Sequence, residues 1–500
     1  MKKIYDCALI LASLLATVSA EAIERLSVNQ NGIEANVGAT ARDVSSDGRF
    51  VVFSSGSSNL VGDDTNGQSD IFVLDRNDGS IERVSVDSDE NQIVAPYFAV
   101  SASISNDGRY ICFRSNSPSL VPGDTNGGSD LFVRDRVAGT TERVSLSDTG
   151  EQLSGNSHGE ISGNGLYLVF EYSGSEVMMT DTNGVSDIFR RTLSDGTTIR
   201  VSVSNEEMEA TAGSTGPSIS DDGNRIGFTS AADNLIGDDD NSGDDYFVRD
   251  ISEETTIRVS VAHDGSEQNG SVFQGGGVLS GDGNFIAFSS TATNLVPGDT
   301  NGMEDVFVRD LVNETTELVS VATNSSTFIT DDGSRRPTIS PDGRYVGFET
   351  SSTQIDSRVN QGIQSHSFVR DRETSTTSTV QISTTGQFGT RSGGTDALSF
   401  QPYFAADGRY IFTSDSDNLV QNDTNSQWDV FGATFGEAPV VSPPPAVAPD
   451  NSALCTSLKN KLKKLKKKAK KLKSSGKAAA AKKLKKKMKK IKKQLKALGC

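Results

Sequence analysis

The sequence predicts an all-β chain, a seven-bladed β-propeller closed by its own N-terminal strand, with a lysine-rich α-helical hairpin behind it. Three features of the residues require it. A phrase of Asp-Gly-(Arg/Asn)-aromatic, an apolar strand and Asp-Thr-Asn-Gly-x-x-Asp-φ-Phe recurs, its turn falling at Asp47, Asp107, Asn164 (as Asn-Gly), Asp222, Asp282, Asp342 and Asp407. The intervals are 60, 57, 58, 60, 60 and 65 residues, and a unit this short cannot bury its own apolar face, so the copies must stack. Ile23–Val28 copies Ile81–Val86, whereas the last unit runs into Pro-rich sequence after Phe431 with no fourth strand. First and last segments therefore share a blade, which a linear solenoid would not need. Six blades is the count if the diverged third or sixth unit is not a blade.

The first twenty residues read as an export signal. Lys2 and Lys3 form the basic end, Cys7 to Val18 the apolar core, and Val18-Ser19-Ala20 a small-residue cleavage site. The apolar run is too short to span a bilayer, and Cys7 lies inside the core instead of at its end, against a lipoprotein anchor. The expectation is an exported protein, periplasmic or at the cell surface.

Residues 21–434 hold the repeats. In the fifth unit, Gly276–Ser280 is a short small-residue strand, and the Asp282-Gly283 turn leads into Asn284–Ser289. After the loop Leu295–Gly302 come Asp305–Asp310 and Thr316–Val321. β-Branched and aromatic runs bounded by Gly, Asp and Asn are strand-and-turn chemistry. Four antiparallel strands per unit make a blade, and radial closure leaves only short edges. No apolar period of 3.6 persists here.

These repeats resemble the TolB-like, WD-repeat-like propeller family of exported bacterial proteins. The likeness rests on Ile339-Ser340-Pro341-Asp342-Gly343-Arg344-Tyr345-Val346-Gly347-Phe348 and on the Asp-φ-Phe-Val-x-Asp strand, and covers roughly 22–434. It implies a fold and not an activity, since the family includes periplasmic binding subunits and non-catalytic domains attached to peptidases. This chain departs from the simplest pattern by inserting Asn-Leu-Val-x-Gly-Asp-Thr-Asn-Gly between the second and third strands.

The inserted loop supplies oxygen donors at Asp64, Asn66 and Asp70, at Asp124, Asn126 and Asp130, and at Asp181, Asn183 and Asp187. It does so again at Asp239, Asn241 and Asp245, at Asp299, Asn301 and Asp305, and at Asp423, Asn425 and Asp429. The sixth unit reads Asn360-Gln361-Gly362 instead. Carboxylates and carbonyls beside a Gly suit Ca²⁺, although the bidentate Glu that completes an EF-hand shell is missing. The alternative is Asx-turn chemistry, in which Asp and Asn bond their own backbone and the last Asp starts the third strand.

No His-Glu-x-x-His helix or phosphate-binding Gly loop occurs. His158, His263 and His366 stand in non-equivalent places and read as surface or turn residues. Cys112 reads as an inert buried thiol. Repeat-locked Arg134, Arg249 and Arg309, with Arg143, Arg200 and Arg258, read as partners of the many Asp in inter-blade ion pairs.

Pro443–Pro445 and Pro449 mark a stiff linker over 435–454. In 455–500, Leu458, Leu462, Leu465, Ala469 and Leu472, then Leu484, Met488, Ile491, Leu495 and Leu498, form two heptad stripes around Ser474-Ser475-Gly476. A fold-back there would bring Cys455 to Cys500, and an oxidising compartment favours their disulfide over free thiols or intermolecular bridges. Charge divides sharply. The chain holds 48 basic and 66 acidic residues, and 21 of the bases are Lys beyond position 450, where no acid occurs. An acidic body thus carries a polycationic tail suited to anionic polymer or lipid surfaces. The functional expectation is an exported non-catalytic propeller that binds a protein or other ligand, such as a glycan. The alternatives are an enzyme, carbohydrate-active or other, with its site in the channel, or a calcium-dependent structural surface protein.

Overall fold

The computed structural model describes residues 23–434 apart from short stretches at 154, 156–157, 238, 240, 242, 274–276, 327–330, 358–365, 384–386, 392–396 and 401. Beyond these it describes only Lys463, Lys466 and Lys492, which are helical. The export signal, the Pro-rich linker, the body of the helical hairpin and the Cys455–Cys500 pair lie outside the described residues.

Among the described residues, 28 strands form seven four-stranded antiparallel sheets. The first blade runs outward through β2 (Ala39–Val44), β3 (Phe50–Ser55), β4 (Asp70–Asp75) and β5 (Ser80–Arg83). The next five blades repeat that order, with innermost strands β6 (Ala99–Ile104), β10 (Gly159–Ile161), β14 (Ser214–Ile219), β18 (Val278–Leu279) and β22 (Arg335–Ile339). The seventh comprises β26 (Tyr403–Phe404), β27 (Arg409–Ser414), β28 (Asp429–Thr434) and β1 (Glu24–Arg25). Each innermost strand packs on the next, and β26 packs on β2, so the ring is shut.

Closure repeats the chemistry of an ordinary blade. Glu24 pairs with Gly432 and Arg25 with Phe431, and the Leu26 amide donates to the Val430 carbonyl at 2.7 Å. Ser27 Oγ donates to Asp429 as Ser85 does to Asp70 in the first blade. Outer strands end earlier than their apolar pattern suggests. In the fifth blade the outer strand β21 is Thr315–Leu318, because Ser320 takes the Val306 amide on its Oγ, at 3.1 Å, where the ladder would continue.

Two devices hold the ring together, one within a blade and one between blades. Within each blade a Phe on the second strand stacks on its cross-strand Phe partner on the third, from Phe53–Phe72 to Phe412–Phe431, with centroids 5.6–5.9 Å apart. Between blades, the aromatic after the turn lies over the next blade's turn glycine at Gly108, Gly165, Gly223 and Gly343. A Cβ on Gly108, at φ +72°, would fall 2.0 Å from the Phe50 ring. Phe50 is also covered by Arg49 and by Arg136 of the next blade, at 4.5 and 4.6 Å. Cys112 is fully buried and free, as its strand predicts.

Candidate functional site

The six acidic loops share one local structure. Asn66 Oδ1 accepts the Gln68 amide at 2.8 Å, an Asx turn, and its Nδ2 donates to Asp70 at 2.8 Å. The same Asn-to-Asp bond joins Asn126 to Asp130, Asn183 to Asp187, Asn241 to Asp245, Asn301 to Asp305 and Asn425 to Asp429. A Ser of the outer strand's end occupies the other side of that Asp, as Ser145 does at Asp130 (2.7 Å). The second Asp of each loop is therefore a fully buried hub that ties loop, third strand and outer strand together.

The first Asp of the loop meets an arginine in five of the six. Asp64 faces Arg83 (3.5 Å), Asp124 Arg143 (3.2 Å), Asp181 Arg200 (3.5 Å), Asp239 Arg258 (3.3 Å) and Asp423 Arg25 (3.1 Å). In the fourth blade Arg258 sits among Asp239, Asp245 and Glu267, whose oxygens lie within 4.8 Å of one another. Those three carboxylates could hold a cation, and a guanidinium is already there. Burial, with repulsion from Asp245, pushes Asp239 up to about 7, and Asp423 likewise rises to about 7.

These pairs correct one expectation. Arg143, Arg200 and Arg258 bond acids of their own blade's loop, not of the neighbouring blade. Arg134 and Arg249 do reach between blades, to Glu90 and Glu207 on the connecting segments. His366 is corrected as well. It is 1% exposed, takes the buried Asp position of the sixth blade and bonds Gln381 Oε1 through Nδ1 at 2.9 Å. Loop, hub Asp and arginine are lost together there, with Thr379 at the arginine position.

The channel is where the seven copies part company. Two residues before the Ser of each Ser-x-Asp-Gly turn stand Asp43, Ser103, Glu160, Ser218, Val278, Thr338 and, before Ala405, Tyr403. Several of these side chains stitch one innermost strand to the next. Asp43 Oδ2 accepts the Ile104 amide (2.9 Å), Ser103 Oγ that of Ile161 (3.0 Å) and Ser218 Oγ that of Leu279 (3.2 Å). Asp43 and Glu160, on the first and third blades, repel each other, and both charges act on Tyr403 of the seventh.

Burial dominates their titration. It pushes Asp43 up to about 7, opposed by the Ile104 and Val44 amides, and Glu160 to about 8, helped by Asp43 and Asp221. Tyr403 rises to about 12 and Arg42 falls below its ordinary value, both through burial first. At the turn end, Asp221 occupies room left by Gly163 and Gly281, where a Cβ would lie 2.3 and 2.8 Å from its carboxylate. A cavity of about 410 Å³ opens there, lined by Asn106, Asp107, Gly163, Asn164, Asp221 and Asp222. At the opposite end Phe400, 39% exposed, stacks on Trp428 at 4.8 Å and 12°.

Sequence reasoning missed this channel set. Its signal was present as departures from the repeat: an acid, a hydroxyl, an aliphatic and a phenol at one aligned position. Nothing in the sequence says which departures face one another across a ring.

No protein-family model matches the chain, and no curated protein matches it. Among solved structures it is similar to TolB from Acinetobacter baumannii, with 15% identity and a TM-score of 0.36. That match covers 68% of this chain and 62% of that one, so the chain spans less than two thirds of that protein's length. It is similar to oligogalacturonate lyase from Vibrio parahaemolyticus at 13% identity and TM-score 0.49, over 83% of this chain and 94% of that one. A prolyl endopeptidase matches at 10% identity and TM-score 0.46, over 81% and 51%. Among the described residues no helix is long and apolar enough to cross a membrane. In fold, the chain is a seven-bladed β-propeller with TolB among its structural neighbours.

Proposed function

We propose that this is an exported, non-catalytic binding propeller whose ligand, a protein segment or a glycan, enters the central channel, and whose Lys-rich tail attaches it to anionic surfaces. One observation supports the channel above all. The seven copies keep their turns and Phe pairs, and differ in chemistry at the innermost-strand positions that stitch one blade to the next around the channel. A scaffold under packing constraint alone has no need of Asp43, Glu160 and Tyr403 where sister blades use Ser or Thr, because these side chains are costly to bury. The test is a panel of peptides and oligosaccharides screened by calorimetry against the full-length protein and against Asp43→Asn with Glu160→Gln. Binding that both substitutions leave unchanged would move the ligand site away from the channel.

A second reading, an enzyme in the channel, is favoured by the same carboxyls. Acids that titrate near neutrality beside Arg42 and Tyr403 suit proton transfer. Product release from a polysaccharide or peptide panel, lost in Glu160→Gln, would decide for it.

A further inference from the structure

The fifth-blade loop differs from its five sisters in one respect. The outer-strand position that carries Arg83, Arg143, Arg200, Arg258 and Arg25 elsewhere is Leu318 here, paired across the ladder with Phe307 as Arg258 is with Phe247. The acids have not been lost with the arginine. Asp299 remains, 6% exposed, and Asp305 remains, fully buried. The contrast with the sixth blade is direct, because there the arginine, the loop and the hub Asp have all been replaced.

The Asp305 oxygens are taken by Asn301 Nδ2 (2.7 Å) and Ser320 Oγ (2.9 Å). Asp299 has far less. Its Oδ1 receives the Asn301 amide at a long 3.4 Å, and its Oδ2 has no partner among the described residues. No ion pair reaches either carboxylate among the described residues, whereas each sister carboxylate at the Asp299 position lies within 3.1–3.5 Å of a guanidinium. Buried carboxylates left without a countercharge are expensive, and in folded proteins such groups are paired or bind a cation. Leu318 supplies no charge, so the countercharge must come from solution.

We propose that Asp299 and Asp305 hold an oxygen-seeking divalent cation, such as Ca²⁺, in the space that a guanidinium fills in the sister loops. Two carboxylates of one loop suit a doubly charged ion, and hard cations of this kind take carboxylate and water oxygens together. With only two protein carboxylates the affinity belongs to the weak class of extracellular modules, with Kd of roughly 10⁻⁴–10⁻³ M. The other five loops are filled by their own arginines and bind no ion, so the protein takes one cation and not six.

The experiment uses the full-length protein, stripped with chelator and then titrated with Ca²⁺, Mn²⁺ or Mg²⁺ by calorimetry and thermal denaturation. The expected result is a single equivalent bound and a rise in Tm of a few degrees at saturating ion. Asp299→Asn should abolish both. Leu318→Arg should also abolish both while raising the Tm of the stripped protein, because it restores the sister pair. That second variant keeps the outcome readable if the first folds poorly. Absence of any ion-dependent shift in the wild type overturns the proposal. So does a shift that survives Leu318→Arg, or a stoichiometry near six.

Discussion

At the scale of single residues, the arginines of the acidic loops are countercharges to the loops' buried carboxylates. Arg258, whose side chain is almost wholly buried, compensates Asp239, Asp245 and Glu267 at once. Removing one partner of a buried ion pair leaves the other uncompensated and costs about 3–5 kcal/mol. Arg258→Met should therefore lose roughly that much in urea denaturation. Adding Asp239→Asn should recover part of the loss, since the orphaned charge goes with it.

The channel carboxyls give a pH signature of opposite kind. Glu160 is raised from 4.5 to about 8, so the folded protein prefers the neutral acid. Its stability contribution is fully present below pH ~4.5 and is lost as pH climbs towards ~8. Glu160→Gln should thus match the wild type near pH 4.5 and melt higher than it near pH 8. A difference that is largest at acid pH would refute the assignment. Of these residues, the loop Asp and Asn were legible because six copies repeat them at fixed spacing. Their arginine partners were seen as repeat-locked but assigned to the wrong blade, because the chain turns back within the loop. His366 was misread for a related reason: a singular residue carries no repeat signal, and only alignment on Asp305 shows that it fills a core position.

At the scale of the element, the Asp-Gly turn and the stacked Phe pair do different work. The turn glycine serves both as a left-handed corner and as a seat for the neighbouring blade's aromatic. Gly108→Ala combines positive-φ strain with a clash against Phe50, and should cost about 3 kcal/mol. Gly67, at φ +65° with nothing within 4 Å of a Cβ, isolates the first term. Gly67→Ala should cost only about 1 kcal/mol. Equal losses by chemical denaturation would show that the inter-blade contact contributes little. Strand identity and turn position were readable because β-branched runs and Gly punctuate every copy. Outer-strand length was not, since Val-Ser-Val continues the strand pattern while the Ser hydroxyl leaves the ladder to reach the hub Asp.

At the scale of the whole molecule, the ring is closed by Ile23–Ser27, from the far end of the chain. Ile23, Leu26 and Ser27 are buried in the seventh blade, and Arg25 supplies that blade's loop countercharge. Deleting 21–30 removes the outer strand, the Ser27–Asp429 bond and the Arg25 pair together. The truncated protein should melt well below the intact one. An unchanged Tm would mean that the ring does not depend on this strand.

The polycationic tail poses the remaining question at this scale, and it is a matter of competition. The tail carries 21 Lys and no acid, whereas residues 1–450 carry 27 basic against 66 acidic residues. Internal attraction and external anions therefore contend for one cationic segment, and both are screened beyond ~8 Å at physiological salt. If the tail is an attachment device, the full-length protein should bind vesicles rich in anionic lipid, or an anionic polysaccharide, and lose that binding steeply as salt rises. Removing 451–500 should abolish the binding and leave the melting of the propeller unchanged. Reducing a Cys455–Cys500 bridge should weaken it less, because the charge stays and only the preorganisation of the hairpin is lost. Binding that survives the deletion would place the adhesive surface on the propeller. Given the net negative charge of that body, such binding should then strengthen with added divalent cation, an outcome the tail reading does not allow.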